Sequence, residues 1–242
     1  MECQTFQEWI YLNKMKKFLL LSAVAFSIFS CSKESGNLKL SGEVKGLKQG
    51  TIYIKTAKES GLVTLDSIVF DGKSNFSTAL DIEEPQVLYF SLNRGISNSE
   101  DNNLMFFAEP GEMNITTSLE RFYGDAKIEG SENQKLYDSY LATKRTLTNR
   151  QNDLIKDQIL YSKSGYNAKA DSLDVLIQKT SARIYLNAVN FALKNKDKEV
   201  APYIALTEIA PISDKYLDTI QKSIPENIAK SLYGKALIEI NK

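Results

Sequence analysis

The chain has 242 residues, with 30 basic and 30 acidic side chains and no histidine. So even a balance leaves no electrostatic footprint for nucleic acid. The missing imidazole removes Ser-His-Asp and Cys-His catalysis and histidine-built zinc sites. A hydrophobic content of 43%, with 12 Tyr and 11 Phe, supports a packed core rather than wholesale disorder.

The first stretch with a clear physical meaning is Lys16-Lys17 followed by the apolar run from Phe18 to Phe29 and then Ser30-Cys31. Two cations hold the start of such a segment in the cytoplasm, the apolar run engages the export machinery, and a small residue stands before a cysteine. The run is 12 residues long, against roughly 20 for a helix that spans a bilayer. We therefore read residues 15–30 as a lipoprotein signal peptide and Cys31 as the lipid-bearing first residue of the mature chain. Phe29 departs from the usual pattern, which has a smaller residue there. Residues 1–14, with Glu2, Glu8 and Trp9, suit the leading region of a signal poorly and read as a start-site artefact upstream of Met15. Removing residues 1–30 leaves 27 cations against 28 carboxylates. Cys3 and Cys31 are the only cysteines, so acylation of Cys31 leaves the folded part without a free thiol, a disulfide or a Cys-x-x-Cys centre.

Residues 31–37 read as a tether. Residues 38–130 then carry strand patterns. Leu38, Leu40 and Val44 lie near Gly42 and Gly46. Ile52 and Ile54 alternate with Tyr53 and Lys55. Between Leu62 and Phe70, Val63, Leu65 and Val69 fall on one face and Leu62, Ile68 and Phe70 on the other. Asp71-Gly72 is a hairpin signal with Phe76 to Leu80 as the returning strand. Val87 to Leu92, Leu104 to Ala108, Met113 to Thr117 and Ala126 to Ile128 complete about eight short strands, which suit an antiparallel sandwich or open barrel.

At Gly130 the period changes. Ser131 and Gln134 fit a capping box, and Leu136, Tyr137, Tyr140, Leu141, Leu147, Leu154 and Ile155 follow helical spacing. Gly165 breaks the pattern. A second helix from about Ala168 to Lys194 has an inner stripe of Leu173, Leu176, Ile177, Ile184, Tyr185, Ala188, Phe191 and Ala192. Shorter helices follow, punctuated by Pro202, Pro211 and Pro225. Ser223-Ile224-Pro225-Glu226 reads as a second capping box, and Ile228, Leu232, Leu237 and Ile240 mark the last helix. The expected fold is α+β: an antiparallel β domain over 38–130, then a helical domain over 131–242.

Candidate chemistry is thin. The adjacent carboxylates Glu83-Glu84 and Glu100-Asp101 need not share a site, because neighbours on a strand point to opposite faces. Solvated loop charge is the better reading of both. Tyr89, Phe90, Phe106 and Phe107 read as core, whereas Tyr53, Tyr89 and Tyr123 could present rings to a sugar or peptide. Asp66-Ser67-Ile68, Asp171-Ser172-Leu173 and Asp218-Thr219-Ile220 share one form and look like the O-glycosylation sequon that one group of Gram-negative bacteria uses on exported proteins. Ser67, Ser172 and Thr219 are the acceptor hydroxyls. We expect no cofactor, no metal and no catalytic residue.

Leu38 to Val44, Thr51 to Ile54, Leu65-Asp66-Ser67 with Asp71-Gly72-Lys73 and Phe76, Phe107 to Glu112, Ile115, Ile128 to Ser131 and Asn133 together resemble a known pattern. It is the N-terminal domain of unknown function carried by lipoproteins ahead of thioredoxin-like domains of the AhpC/TSA and TlpA type. The likeness covers roughly Leu38 to Ser139, and the helical part resembles the linker in such proteins. The resemblance implies an envelope location and a fold. The redox centre of such proteins has no counterpart residues in this sequence, so it implies no reaction. The expected role is a non-enzymatic binding or scaffold module, lipid-anchored in the Gram-negative envelope, most naturally at the outer membrane on its periplasmic or surface face. The alternatives are an accessory subunit for a thioredoxin-like lipoprotein and a glycan-binding surface lipoprotein.

Overall fold

The computed structural model describes residues 36–58, 60–93, 102–210 and 212–240. The expected signal peptide, Cys31 and the Glu100-Asp101 pair lie outside them. Among the described residues eight strands come first: β1 Leu38–Lys45, β2 Gln49–Lys58, β3 Gly61–Asp71, β4 Asn75–Leu80, β5 Gln86–Leu92, β6 Asn103–Ala108, β7 Gly111–Ser118 and β8 Lys127–Glu129. Six helices follow among the same residues: α1 Glu132–Lys163, α2 Asn167–Lys194, α3 Val200–Ile204, α4 Asp214–Ser223, α5 Glu226–Ala229 and α6 Leu232–Glu239. A π-helical turn, Ala205–Ile209, continues α3. The α+β expectation matches this architecture.

The strands form two four-stranded sheets, ordered β4-β1-β7-β8 and β3-β2-β5-β6. Between them lies a core of Leu38, Leu40, Ile52, Ile54, Phe90, Phe106 and Ile115. Phe90 stacks on Phe122 at 5.8 Å between ring centres and meets Phe76 at 5.2 Å. The sandwich is not wholly antiparallel, because β1 and β7 pair in parallel. Gly42 admits that neighbour: a Cβ there would lie 1.8 Å from the Ile115 carbonyl oxygen.

Two local expectations fail for physical reasons. Asp71-Gly72 does turn the chain, with Gly72 at φ +78, but β3 and β4 are not a hairpin. β3 pairs with β2, and β4 crosses to the other sheet beside β1. Local turn chemistry sets a reversal; the partner is chosen by the core. In β3 the register slips opposite Ile54/Lys55, leaving Leu65 bulged. The slip undoes the two-face pattern expected for that strand, so Ile68 and Phe70 are buried while Leu62, Val63, Leu65 and Val69 are exposed.

A second core joins sheet to helices. Val87 and Phe107, on the outer face of β5 and β6, pack against Tyr137, Ala188, Ala192, Ala201, Ala205 and Leu237. The alanines let helix backbones come close. β5 and β6 are thus buried on both faces, which explains their near-continuous apolar sequence.

Among the described residues, α1 and α6 start on a side-chain cap and the other four helices do not. The Ser131 hydroxyl accepts from Gln134 N at 2.9 Å, as expected, but the Gln134 side chain does not return to Ser131. It accepts instead from Phe107 N at 2.7 Å. The expected box at Ser223 is absent: Ser223 closes α4 and its hydroxyl bonds Ile220 O. Ile228 belongs to the short α5, and α6 is capped by Ser231, whose hydroxyl accepts from Gly234 N. Pro202 does not interrupt a helix. It sits in the first turn of α3, where no N–H is required of it.

Candidate functional site

The polar side chains that join the sandwich to the helices come from positions whose sequence looks unremarkable. Glu109, just past β6, accepts from Glu132 N at 2.8 Å and from Asn133 N at 3.0 Å. A carboxylate there meets the free N–H groups and the positive dipole end of α1. Asn133 is 1% exposed. Its amide nitrogen donates to Glu109 and, at 2.9 Å, to Glu199. Its carbonyl oxygen accepts from Val200 N at 2.9 Å. One side chain therefore ties the β6–β7 turn to the starts of α1 and α3. Gly130 fits this joint only as glycine: it has φ +99 and a Cβ would fall 2.1 Å from the Glu112 carbonyl oxygen. At the other end, Glu84 accepts from Leu232 N at 2.7 Å, placing a carboxylate at the start of α6.

Beside the joint sits a cluster of tyrosines. Tyr203 lies 5.1 Å from Tyr233 and 5.9 Å from Tyr137, ring centre to ring centre, and Phe107 meets both Tyr203 and Tyr233 edge-on. The Tyr203 hydroxyl donates to the Met105 sulfur at 3.4 Å, and the Tyr233 hydroxyl accepts from Val87 N at 2.8 Å. Burial is the main reason the phenols of Tyr137, Tyr140 and Tyr233 are pushed far up. Tyr203 is pushed up to about 12, chiefly by burial and secondly by Tyr89. Lys144 meets Glu208, on the π turn, at 2.6 Å.

An open groove of about 520 Å³ lies between β6, the turn after β7 and the face of α1 that carries Gln134, Asp138, Leu141 and Arg145. Those helix positions recur at i, i+4, i+7 and i+11, one side of a helix. The opposite wall is fixed by Phe122. Its ring is 1% exposed in the core, and its carbonyl accepts from the Thr117 hydroxyl at 2.6 Å. Burying Phe122 turns its neighbours Arg121 and Tyr123 outward to the rim. Leu104, Ala126 and Ile128 add apolar surface. Shielding pushes the Asp138 carboxyl above the ordinary carboxylate range, opposed in part by the Gln134 amide that donates to it at 2.7 Å. Arg121 pairs with Asp125 at 3.4 Å on the surface, and Arg145 has no partner among the described residues.

The three sequon hydroxyls are not brought together. Ser67 is exposed on β3, Ser172 on α2 and Thr219 on α4. The Ser172 and Thr219 hydroxyls donate to carbonyls four residues back, Ala168 and Lys215. Phe90, Phe106 and Phe107 are buried, as core should be. Tyr53 and Tyr89 share the outer face of one sheet, where Tyr89 packs toward the helices, and Tyr123 stands apart at the groove, half exposed. Sequence reasoning missed Arg121, Asp138 and Arg145. The signal available was the polar Gln134–Asp138–Arg145 stripe on a helix expected to pack. Among the described residues no cluster of three His, Cys, Asp or Glu could hold a metal, and no helix is long and apolar enough to cross a membrane.

Residues 38–137 match the family model for a domain of unknown function (DUF4369). The matched segment covers both sheets and runs past Gly130 into α1, so it takes in Glu109, Asn133 and Gln134. No curated protein and no solved structure was found to match the chain.

Proposed function

We propose that the protein is a non-catalytic binding or scaffold module of the Gram-negative cell envelope, held to the membrane by acyl chains on Cys31. The observation that supports the non-catalytic part is how two of its carboxylates are used. Glu84 and Glu109, which acid–base chemistry would need free, accept from backbone N–H groups at helix starts. The anchor rests on Lys16-Lys17, the apolar run and Ser30-Cys31. Acyl chains contribute roughly 0.8 kcal/mol per buried methylene. The body is pinned from Asn37, which holds Asp81 and Ile82. Six peptide steps separate it from Cys31, a span of at most about 22 Å, so the anchor keeps the body against its membrane, for which the outer membrane is our reading.

A second reading, an accessory subunit for a thioredoxin-like lipoprotein, draws on the likeness of the matched segment to domains that precede such proteins. A glycan-binding role would use Tyr123. Ser67, Ser172 and Thr219 are proposed as O-glycosylation acceptors, each lying on an exposed residue. The test of the anchor is detergent phase separation of the protein expressed in a Gram-negative host. The wild type should enter the detergent phase and take up tagged palmitate, and Cys31→Ser should take up none; equal labelling would defeat the proposal.

A further inference from the structure

We infer that the groove between β6, the β7–β8 turn and α1 binds an aliphatic dipeptide with a free carboxylate and a free ammonium. This rests on the binding-module reading and names what is bound. The chemistry of the walls carries it. Leu104, Ala126, Ile128 and Leu141 give the lining its apolar part, beside the buried Gln134 and Tyr137, and such surface gains by covering an aliphatic side chain. Its rim holds two guanidinium groups and one carboxylate, those of Arg121, Arg145 and Asp138.

Their states matter. Arg145 has no partner among the described residues. Arg121 has a surface pair only, at 3.4 Å and with its side chain 70% exposed, and such pairs are weak and easily exchanged. Guanidinium forks match carboxylates in geometry, so both are placed to take the ligand's acid end. Asp138 is held by Gln134 through one oxygen, at 2.7 Å, which leaves the other for an ammonium. Asp138 and Arg145 lie seven positions apart on one helix face, about 10 Å along the axis. The opposed charges thus stand at two ends of one wall and read a dipole. Two extended residues span roughly 7 Å, which the reach of an arginine side chain completes. The volume, about 520 Å³, lies within the range of small-ligand sites. Tyr123, half exposed at the mouth, can lie against the ligand's flank.

The test is calorimetric titration of the full chain with Leu-Leu, its carboxyl amide, its N-acetyl form, free leucine and octanoate, with mass analysis of the recovered ligand. Saturable binding of Leu-Leu is expected, and free leucine, whose two charges share one carbon, should bind more weakly. Leu-Leu binding should weaken at least tenfold on amidation, on acetylation, and in Arg145→Met and Asp138→Asn proteins whose melting matches the wild type. No binding of Leu-Leu at 10 mM, binding unchanged in both variants, or octanoate bound as well as Leu-Leu would overturn the inference and leave the anchored-module reading standing. Leu-Leu bound but recovered as leucine would support the site and overturn the non-catalytic reading instead.

Discussion

Asn133→Ala should uncouple the two halves of the body. The side chain gives up a bond to each of two carboxylates, Glu109 and Glu199, and leaves Val200 N–H buried without its acceptor. Bonds to charged groups are worth about 1.5–3 kcal/mol and an orphaned buried donor costs about 1–3 kcal/mol. Water reaching the partly open carboxylates recovers some of that, so a net loss of about 3–4 kcal/mol is expected. For a body of this size that lowers Tm by about 6–16 °C. Thermal melts followed by circular dichroism read the shift, and amide exchange at residues 200–205 should accelerate before that of β1 or β2. Asn133→Asp sharpens the test through its sign. The new carboxyl would sit among two others, so its folded pKa rises above its unfolded value near 3.9. The folded state then holds the extra proton, and stability falls as pH rises through that interval. The variant should therefore regain stability between pH 7 and pH 5, while Asn133→Ala should not. A Tm loss under 3 °C for Asn133→Ala, or equal pH responses of the two variants, would show that Asn133 is not the tie described.

Gly130→Ala forces a Cβ against the Glu112 carbonyl at positive φ and should cost at least about 2 kcal/mol, read as a Tm drop of about 4–8 °C; an unchanged Tm would contradict the tight approach. The four raised tyrosines, Tyr137, Tyr140, Tyr203 and Tyr233, contribute stability that is complete below the ordinary tyrosine value near 10 and is lost as pH rises through their folded values. Each adds up to about 1.4 kcal/mol per pH unit to the alkaline loss. Tyr203→Phe should melt with a shallower pH dependence than wild type between pH 10 and 12, and identical slopes would count against the buried cluster. Glycans at Ser67, Ser172 and Thr219 should add sugar mass in a host that glycosylates exported proteins, removed by changing all three to alanine; an intact mass equal to the lipidated polypeptide alone dismisses them.

Strand existence was legible because Ile52 and Ile54 alternate with polar residues, and because β5 and β6 are apolar over most of their length. Strand partners were not. Asp71-Gly72 carries the chemistry of a reversal, which is local, whereas the choice between pairing β4 with β3 or with β1 is made by Phe76 reaching Phe90 across the core. The bulge at Leu65 was invisible for the same reason, since register depends on what faces the partner strand. At helix starts the sequence showed caps drawn from neighbouring residues, such as Ser131. It hid those supplied from far along the chain: Glu109 for α1 and Glu84 for α6 look like loop charges until the fold sets them against N–H groups. The groove residues were hidden in the same way. Arg121 and Tyr123 face outward because Phe122 between them is in the core, and Arg145 meets them only once α1 lies along β6 and β8.

The intact mass of the protein recovered from the membranes of its native producer bears most directly on what the molecule is. A chain beginning at Cys31, heavier than its polypeptide by the mass of acyl chains that base or lipase treatment removes, is the expected result. A chain that starts upstream of Cys31, or that starts there with an unmodified thiol, would contradict the account of a body moored to its membrane.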